Sequence, residues 1–284
     1  MHRYVLHNDE IQDAYVGGVS PGQVGFMNGW GVFSTLRVAE GVLFAYERHW
    51  DRMRRDAIRM HVPFPESPEW LRLRLQRLVE ANRAFAATLR VAIVRNHGGP
   101  FEGPGIERDF DVIAFTADLT QWAPVRLGIK PQARHAQCEF AGAKITSWAL
   151  NLTWNEEAHQ RGLDEYILLN ERGEVCECTS ANIFAISGGD AYTPPLSSGC
   201  LAGITRALLL EEVHVAGIAV SEKTLFPADL EQADEVFITS STRDVVSATG
   251  IEGLRICNRG NGATMLLNAL CAYREAYIGA HAVL

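Results

Sequence analysis

Lysine is scarce in this chain, and one lysine stands where a nucleophile would. Of the 26 basic side chains only Lys130, Lys144 and Lys223 are lysines; the rest are arginines. A surface that needs only positive charge takes either type. A covalent imine with a carbonyl compound is made by lysine alone, because arginine stays protonated and is not nucleophilic. Lys144 follows Phe140-Ala141-Gly142-Ala143, whose small residues leave room for a planar partner. The alternative is an ordinary surface lysine. Downstream, Glu177 lies between Cys176 and Cys178 in an apolar run. A glutamate among small apolar residues is rarely buried unless paired. A protonated pyridine nitrogen is one partner that would keep it ionised. A half-exposed strand with Glu177 facing water is the other reading.

Two further stretches suit an anion. Leu201-Ala202-Gly203-Ile204-Thr205-Arg206 opens a helix, where backbone N–H groups, a glycine and a hydroxyl form a natural cradle. Thr205 is equally read as a helix cap. Thr239-Ser240-Ser241-Thr242 is a run of hydroxyl residues after a strand, able to hold phosphate oxygens or to serve as a polar loop. Arg52 is one of several arginines on its helix, and nothing local sets it apart from Arg48, Arg54 or Arg55.

These residues need elements to carry them. The patterning predicts strands over 3–7 and 11–16, then a hairpin of 32–38 and 42–46 turning at Ala39-Glu40-Gly41. A helix follows over 49–61, with Trp50, Met53, Ala57 and Met60 on one face, ended by Pro63 and Pro65. A second helix covers 69–83, carrying Leu71, Leu75, Leu78 and Val79 inward. Strands over 88–94 and 111–116 flank a Gly- and Pro-rich loop, whose 98–105 portion is a candidate mobile or partner-contacting segment. The pattern breaks near 118–124. A smaller N-terminal α/β domain is expected over 1–118, a linker over 119–126, and a larger cofactor-binding domain over 127–284.

Beyond the break, a strand over 125–130, a helix over 147–160, strands over 165–169 and 174–178, and a hairpin over 183–192 turning at Gly188-Gly189 are expected. A helix over 203–215, strands over 218–221 and 235–240, and a last helix over 262–278 complete the chain. Strands exceed what pure βα alternation gives, so the fold class is α+β or mixed α/β.

Composition narrows the function. The 284 residues give ample core, and 47% hydrophobic with 21% charged residues is ordinary for a globular protein. The net charge of -8 and the lack of a basic run argue against nucleic acid. No apolar run is long enough to cross a bilayer, and the start, MHRYVLHNDE, lacks the core of a signal peptide. A cytoplasmic protein is expected. The six cysteines read as buried thiols, and the nine histidines show no metal-binding spacing, so no metal is expected.

Together the motifs resemble the fold-type IV pyridoxal-phosphate enzymes, the class IV aminotransferases. That family includes branched-chain aminotransferases, D-amino acid aminotransferases and aminodeoxychorismate lyases. The resemblance rests on GWGVFSTLRV, GVLFAYERHWDRM, GAK, GLDEYILLNERGEVCECTSANIF, LAGITR and ADEVFITSSTRDV, in the family's order. It implies a two-domain fold like that of D-amino acid aminotransferase, with pyridoxal 5'-phosphate as cofactor. It also implies amino acid and 2-oxo acid substrates, and a homodimer. By the same resemblance Lys144 is the catalytic lysine that holds the cofactor and shuttles the proton, and Glu177 faces the pyridine nitrogen. Arg52, Ile204, Thr205, Ser240 and Ser241 take the phosphate. Phe33, Arg90, Arg95, Trp148 and Thr242 are the candidate substrate residues, and Arg37 is a further candidate for the carboxylate.

The chain departs from the family pattern in places. Ser34 stands where the transaminases usually have Glu, and a hydroxyl there, like the cysteine in VCECTSANIF, is more like the lyases. Trp148 stands near the place of a tyrosine beside the cofactor's ring oxygen. Pro100 stands where a second basic residue is usual. The resemblance therefore implies an aminotransferase for a hydrophobic or branched-chain amino acid. Its alternatives are an aminodeoxychorismate lyase making 4-aminobenzoate and pyruvate, or a non-catalytic ligand-binding protein of the same fold.

Overall fold

The computed structural model describes residues 1–16, 18, 20, 22–99, 102–103, 106–257 and 259–281. Pro100 and half of the expected 98–105 segment lie outside the described residues. The chain forms two compact units. One comprises Met1–Thr120, Lys144–Trp148 and the chain from Ala276; the other comprises Gln121–Ala143 and Ala149–Glu275. A single linker over 119–126 thus describes only the first crossing. Lys144–Trp148 counts with the first unit because its backbone bonds there: Phe33 N donates to Lys144 O at 3.1 Å, and Thr146 N to Gly31 O at 2.9 Å.

The first unit runs β1 (Tyr4–His7), β2 (Glu10–Asp13), α1 (Val24–Asn28), β3 (Gly31–Ala39), β4 (Val42–Leu43), α2 (Tyr46–Arg59), α3 (Pro68–Asn82), β5 (Ala86–Arg95) and β6 (Phe110–Asp118). Its antiparallel sheet has the order β2-β1-β6-β5-β3-β4. Period-2 alternation sends Val32, Leu36 and Val38 of β3, with Leu89, Val91 and Ile93 of β5, into one core. Trp50, Met53 and Ala57 of α2 and Leu71, Leu75 and Leu78 of α3 close that core from the helix side. Ser34 falls in the same inward row. Phe33 and Arg90 fall on the opposite face, on strands in register with Phe33 against Ala92 and Thr35 against Arg90.

The hairpin's second arm is shorter than expected. β4 ends at Leu43, and Ala45 takes φ 52 and starts α2 at Tyr46, ahead of His49.

The second unit runs β7 (Val125–Lys130), α4 (Ala149–Gln160), β8 (Glu165–Leu169), β9 (Val175–Cys178), β10 (Asn182–Ser187), β11 (Asp190–Thr193), α5 (Ile204–Glu211), β12 (Val220–Glu222), α6 (Pro227–Gln232), β13 (Glu235–Ser240), β14 (Asp244–Ile251) and α7 (Gly262–His281), whose last turn counts with the first unit. The sheet order is β12-β11-β10-β13-β14-β7-β8-β9, with β14-β7, β7-β8 and β11-β12 parallel. β8 is buried along its whole length, as its apolar run implies. Leu127, Ile167, Ile183, Val236 and Ile238 share one core, and Leu163, Tyr166 and Leu168 another with Trp154 of α4. β14, α1 and α6 were not expected. β14 starts directly after the hydroxyl run, so its pattern is masked by the polar residues before it. Among the described residues no helix is long and apolar enough to cross a membrane.

Candidate active site

In the first unit Lys144 is fixed at its backbone on both sides. Its N–H donates to Asp56 Oδ2 at 3.0 Å, and its carbonyl accepts from Phe33 N. Ile145 bridges Val32, and Thr146 Oγ1 donates to Gly29 O at 2.7 Å. The lysine's side chain lies over the Phe33 ring, with Nζ 4.6 Å from the ring centroid and 5.9 Å from that of Trp148. Phe33 and Trp148 meet edge to face at 5.9 Å. The Arg90 guanidinium sits 4.0 Å from the same Phe33 centroid. Burial lowers the Arg90 pKa from its ordinary value. Among the described residues Arg90 touches rings and no carboxylate. Arg95 differs: Nε donates to His97 O, Nη1 to His61 O, and the guanidinium stacks over Trp30 at 4.4 Å.

Arg52 proves distinct from its neighbours. It is 3% exposed, whereas Arg54 and Arg55 face water and Arg48 is half-buried. Its Nη2 donates to Ser34 Oγ at 2.6 Å, and Ser34 Oγ is 2.7 Å from His49 Nδ1. Burial pulls the Arg52 pKa down to about 10, still charged at neutral pH. His49 is held well below the ordinary range by burial first, then by the charges of Arg52 and Lys144. A neutral imidazole takes the Ser34 hydroxyl proton at Nδ1, and this leaves Ser34 Oγ to accept from Arg52. Position 34 therefore holds the guanidinium from the core side of β3.

In the second unit Glu177 is buried, not outward-facing, and it is paired. Oε1 accepts from Arg134 Nε at 2.9 Å and Oε2 from Leu201 N at 3.0 Å. Arg134 is itself held: its Nη1 reaches Ala133 O at 3.3 Å and its guanidinium lies 5.6 Å from the Trp154 ring centroid. Gly142 has φ +72, and a Cβ there would lie 2.5 Å from Cys200 O, so only glycine permits that approach. The thiols beside Glu177 are inert: burial pushes Cys176 up to about 12 and Cys178 well above its ordinary value.

The same unit contains the expected anion cradle. α5 starts at Ile204 from Gly203, and no side chain of that cap residue takes the first N–H groups of the helix. Thr205 is buried in the first turn. A Cβ on Gly203 would lie 1.9 Å from Asn182 Oδ1, while Asn182 Nδ2 holds Leu201 O at 2.9 Å. Ser240 ends β13, and Ser241 and Thr242 form the turn into β14. Arg243 closes that turn: its N–H donates to Ser240 O at 3.2 Å, its guanidinium pairs with buried Glu165, and it stacks 3.8 Å over Trp122. Thr239 adds a buried hydroxyl with no hydrogen-bond partner among the described residues.

Four functional-site neighbours escape a sequence reading: His49, Asp56, Arg134 and Arg243. His49, Arg52 and Asp56 carry one signal, a polar row at helical spacing on the apolar face of α2. Arg134 and Arg243 carry none, since their partners come from distant strands.

Comparison with known proteins identifies the family. The family model for amino-transferase class IV matches residues 31–251. D-alanine aminotransferase from Listeria monocytogenes serotype 4b is 29% identical over 269 residues, 91% of each chain. Aminodeoxychorismate lyase from Bacillus subtilis is 26% identical over 274 residues, 94% of this chain and 91% of that protein. Among solved structures, a branched-chain aminotransferase from Thermoproteus uzoniensis with norvaline has a TM-score of 0.86 at 24% identity, covering 99% of this chain and 97% of that one. That likeness concerns the fold.

Proposed function

The chain belongs to the class IV aminotransferases, and from that premise we propose that it moves the amino group of a hydrophobic or branched-chain amino acid to a 2-oxo acid. The family uses pyridoxal phosphate, and the residues present suit it. Glu177 is a desolvated, doubly held carboxylate of the kind a pyridinium N–H needs. The start of α5, which has no side-chain cap, offers backbone N–H donors for a phosphate. When bound, the cofactor supplies a carbonyl for the lysine and an electron-accepting ring for the substrate's carbanion.

The chain's own residues then divide the work. Lys144 would hold the cofactor covalently, and its amine would take the proton from the substrate's α-carbon. Glu177 would face the ring nitrogen, with Arg134 and the Leu201 amide holding its two oxygens in place. Arg52, Ile204, Thr205, Ser240 and Ser241 take the phosphate. Arg90 takes the substrate carboxylate, and Phe33 and Trp148 form an apolar wall for its side chain, with Thr242 a further contact. The observation that most supports this reading is that Lys144 and Arg90 lie over one aromatic ring, with no carboxylate on Arg90 among the described residues.

Two other readings have support. D-alanine as donor is favoured by the 29% identical relative. Aminodeoxychorismate lyase activity is favoured by Ser34, whose hydroxyl replaces a carboxylate beside Arg52. A visible spectrum of the purified protein with pyridoxal phosphate, before and after L- and D-amino acids without acceptor, separates the three. Loss of the lysine-bound band with a branched-chain or other hydrophobic L-amino acid supports the first. Loss with D-alanine alone supports the second. A band that ignores every amino acid, with pyruvate released from aminodeoxychorismate, supports the third. A cytoplasmic homodimer completes the proposal, and sedimentation measures its size.

A further inference from the structure

Asp56 is a carboxylate in a place where carboxylates are costly. It is 2% exposed, on the face of α2 that packs against the sheet. Burial raises its pKa, opposed by the Lys144 amide and by Arg52, Arg55 and Arg59. Among the described residues its ion-pair partner is Arg59, whose Nη1 is 3.9 Å from Oδ1, beyond hydrogen-bonding range. Among the described residues, the one hydrogen bond to its side chain is from the backbone N–H of Lys144 to Oδ2, at 3.0 Å.

That bond completes a clamp. Residues 144–146 lie along the start of β3, with Lys144 O and Thr146 N paired to Phe33 and Gly31. β3 takes the Lys144 carbonyl and leaves its N–H turned the other way. α2 supplies the acceptor for that N–H. Arg52 and Asp56 are four residues apart, so they share one helix face about 6 Å apart along the axis. One turn of α2 thus holds the phosphate-binding arginine against Ser34 and the lysine's backbone at Asp56.

We propose that Asp56 is a positioning residue for Lys144: by accepting the lysine's backbone amide, its carboxylate orients the amine for covalent attachment of the cofactor and sets its distance from Arg52. This rests on Lys144 being the cofactor lysine. Asp56 touches neither substrate nor reacting atoms. It acts through the chain of Lys144, whose side chain then lies over Phe33.

The test compares Asp56→Leu, which removes the acceptor while filling the space, with Asp56→Asn, which keeps an acceptor oxygen and removes the charge. Each purified apo-protein is mixed with pyridoxal phosphate. The rate of appearance of the lysine-bound band is followed, and borohydride-trapped cofactor is counted by mass. Far-UV circular dichroism and melting check the fold. Misplacing a reacting group by about an ångström costs on the order of 10²-fold, so Asp56→Leu should slow attachment at least about tenfold, with Asp56→Asn within about twofold of wild type. If Asp56→Leu does not fold, Asp56→Ala takes its place. If neither folds, Asp56→Asn decides, and attachment slowed as far as expected for loss of the acceptor overturns the proposal. Attachment at the wild-type rate in a folded Leu or Ala variant overturns it, as does equal slowing in the non-accepting variant and Asp56→Asn. A wild type that forms no band at all is a different failure, that of the Lys144 assignment itself.

Discussion

Arg134 and Glu177 form an ion pair at 2.9 Å in which both side chains are largely buried, 20% and 11% exposed. The Leu201 amide takes the second carboxylate oxygen. A carboxylate held on both oxygens is fixed in orientation and already aimed when a cation meets it. Removing Arg134 as Arg134→Met leaves Glu177 with one donor. The loss should be roughly 1.5–3 kcal/mol of stability, as for a hydrogen bond to a charged group. Urea unfolding of the two apo-proteins reads it.

Glu177→Gln should retain cofactor and fold but lose the anionic partner of the ring nitrogen. Single-turnover kinetics should slow by about 10²–10³-fold, as when one preorganised electrostatic contact is removed. Wild-type rates in this variant would mean that the ring nitrogen has another partner.

Lys144→Ala should give a folded protein with no lysine-bound visible band at any pyridoxal phosphate concentration. A persisting band would move the covalent role to Lys130 or Lys223. Lys130 pairs with Glu157 at 2.7 Å and Lys223 with Asp229 at 3.8 Å, which makes both poor substitutes.

His49 makes stability depend on pH. Its folded pKa is depressed below the ordinary 6.5, chiefly by burial. Its contribution is therefore fully present above about 6.5 and is lost as pH falls through the folded value, because the unfolded chain gains the proton first. Melting temperatures of wild type should fall between pH 7.5 and pH 5, roughly the window below that unfolded value. Asn in place of His49 should flatten the slope, and an unchanged slope would assign it to other groups.

Gly203→Ala should be costly out of proportion to one methyl group. The new Cβ would meet Asn182 Oδ1 at 1.9 Å, so the Leu201–Gly203 segment or Asn182 must move. Overpacking of this kind costs roughly 1–3 kcal/mol. Titration with inorganic phosphate and with pyridoxal phosphate should show weaker binding of both.

Much of the fold is legible from local pattern because strands and helices here obey their periods. The core face of α3, Leu71, Leu75 and Leu78, reads directly from spacing. The rest depends on pairs far apart in the chain. Ser34 looks like a neutral departure until β3's alternation puts it opposite Arg52. Glu177 is ambiguous until Arg134 arrives from a loop beyond β7. β14 hides behind Thr239-Ser240-Ser241-Thr242, whose composition reads as loop. Lys144 is singled out by rarity, but its orientation comes from Asp56, which looks in sequence like one more charge on an exposed helix.

The alternation of β3 has a consequence for how the molecule can fail. Phe33 and Ser34 are adjacent, yet one belongs to the lysine's face and the other to the arginine's core. Both are set by the same ladder to β5, from Gly31 against Val94 to Ala39 against Ala86. A slip of one residue would swap them, placing a ring against Arg52 and a hydroxyl under Lys144. The same slip would turn Val32, Leu36 and Val38 out of the core, so the apolar packing that stabilises the first unit also locks the lysine's ring and the arginine's hydroxyl on their proper faces.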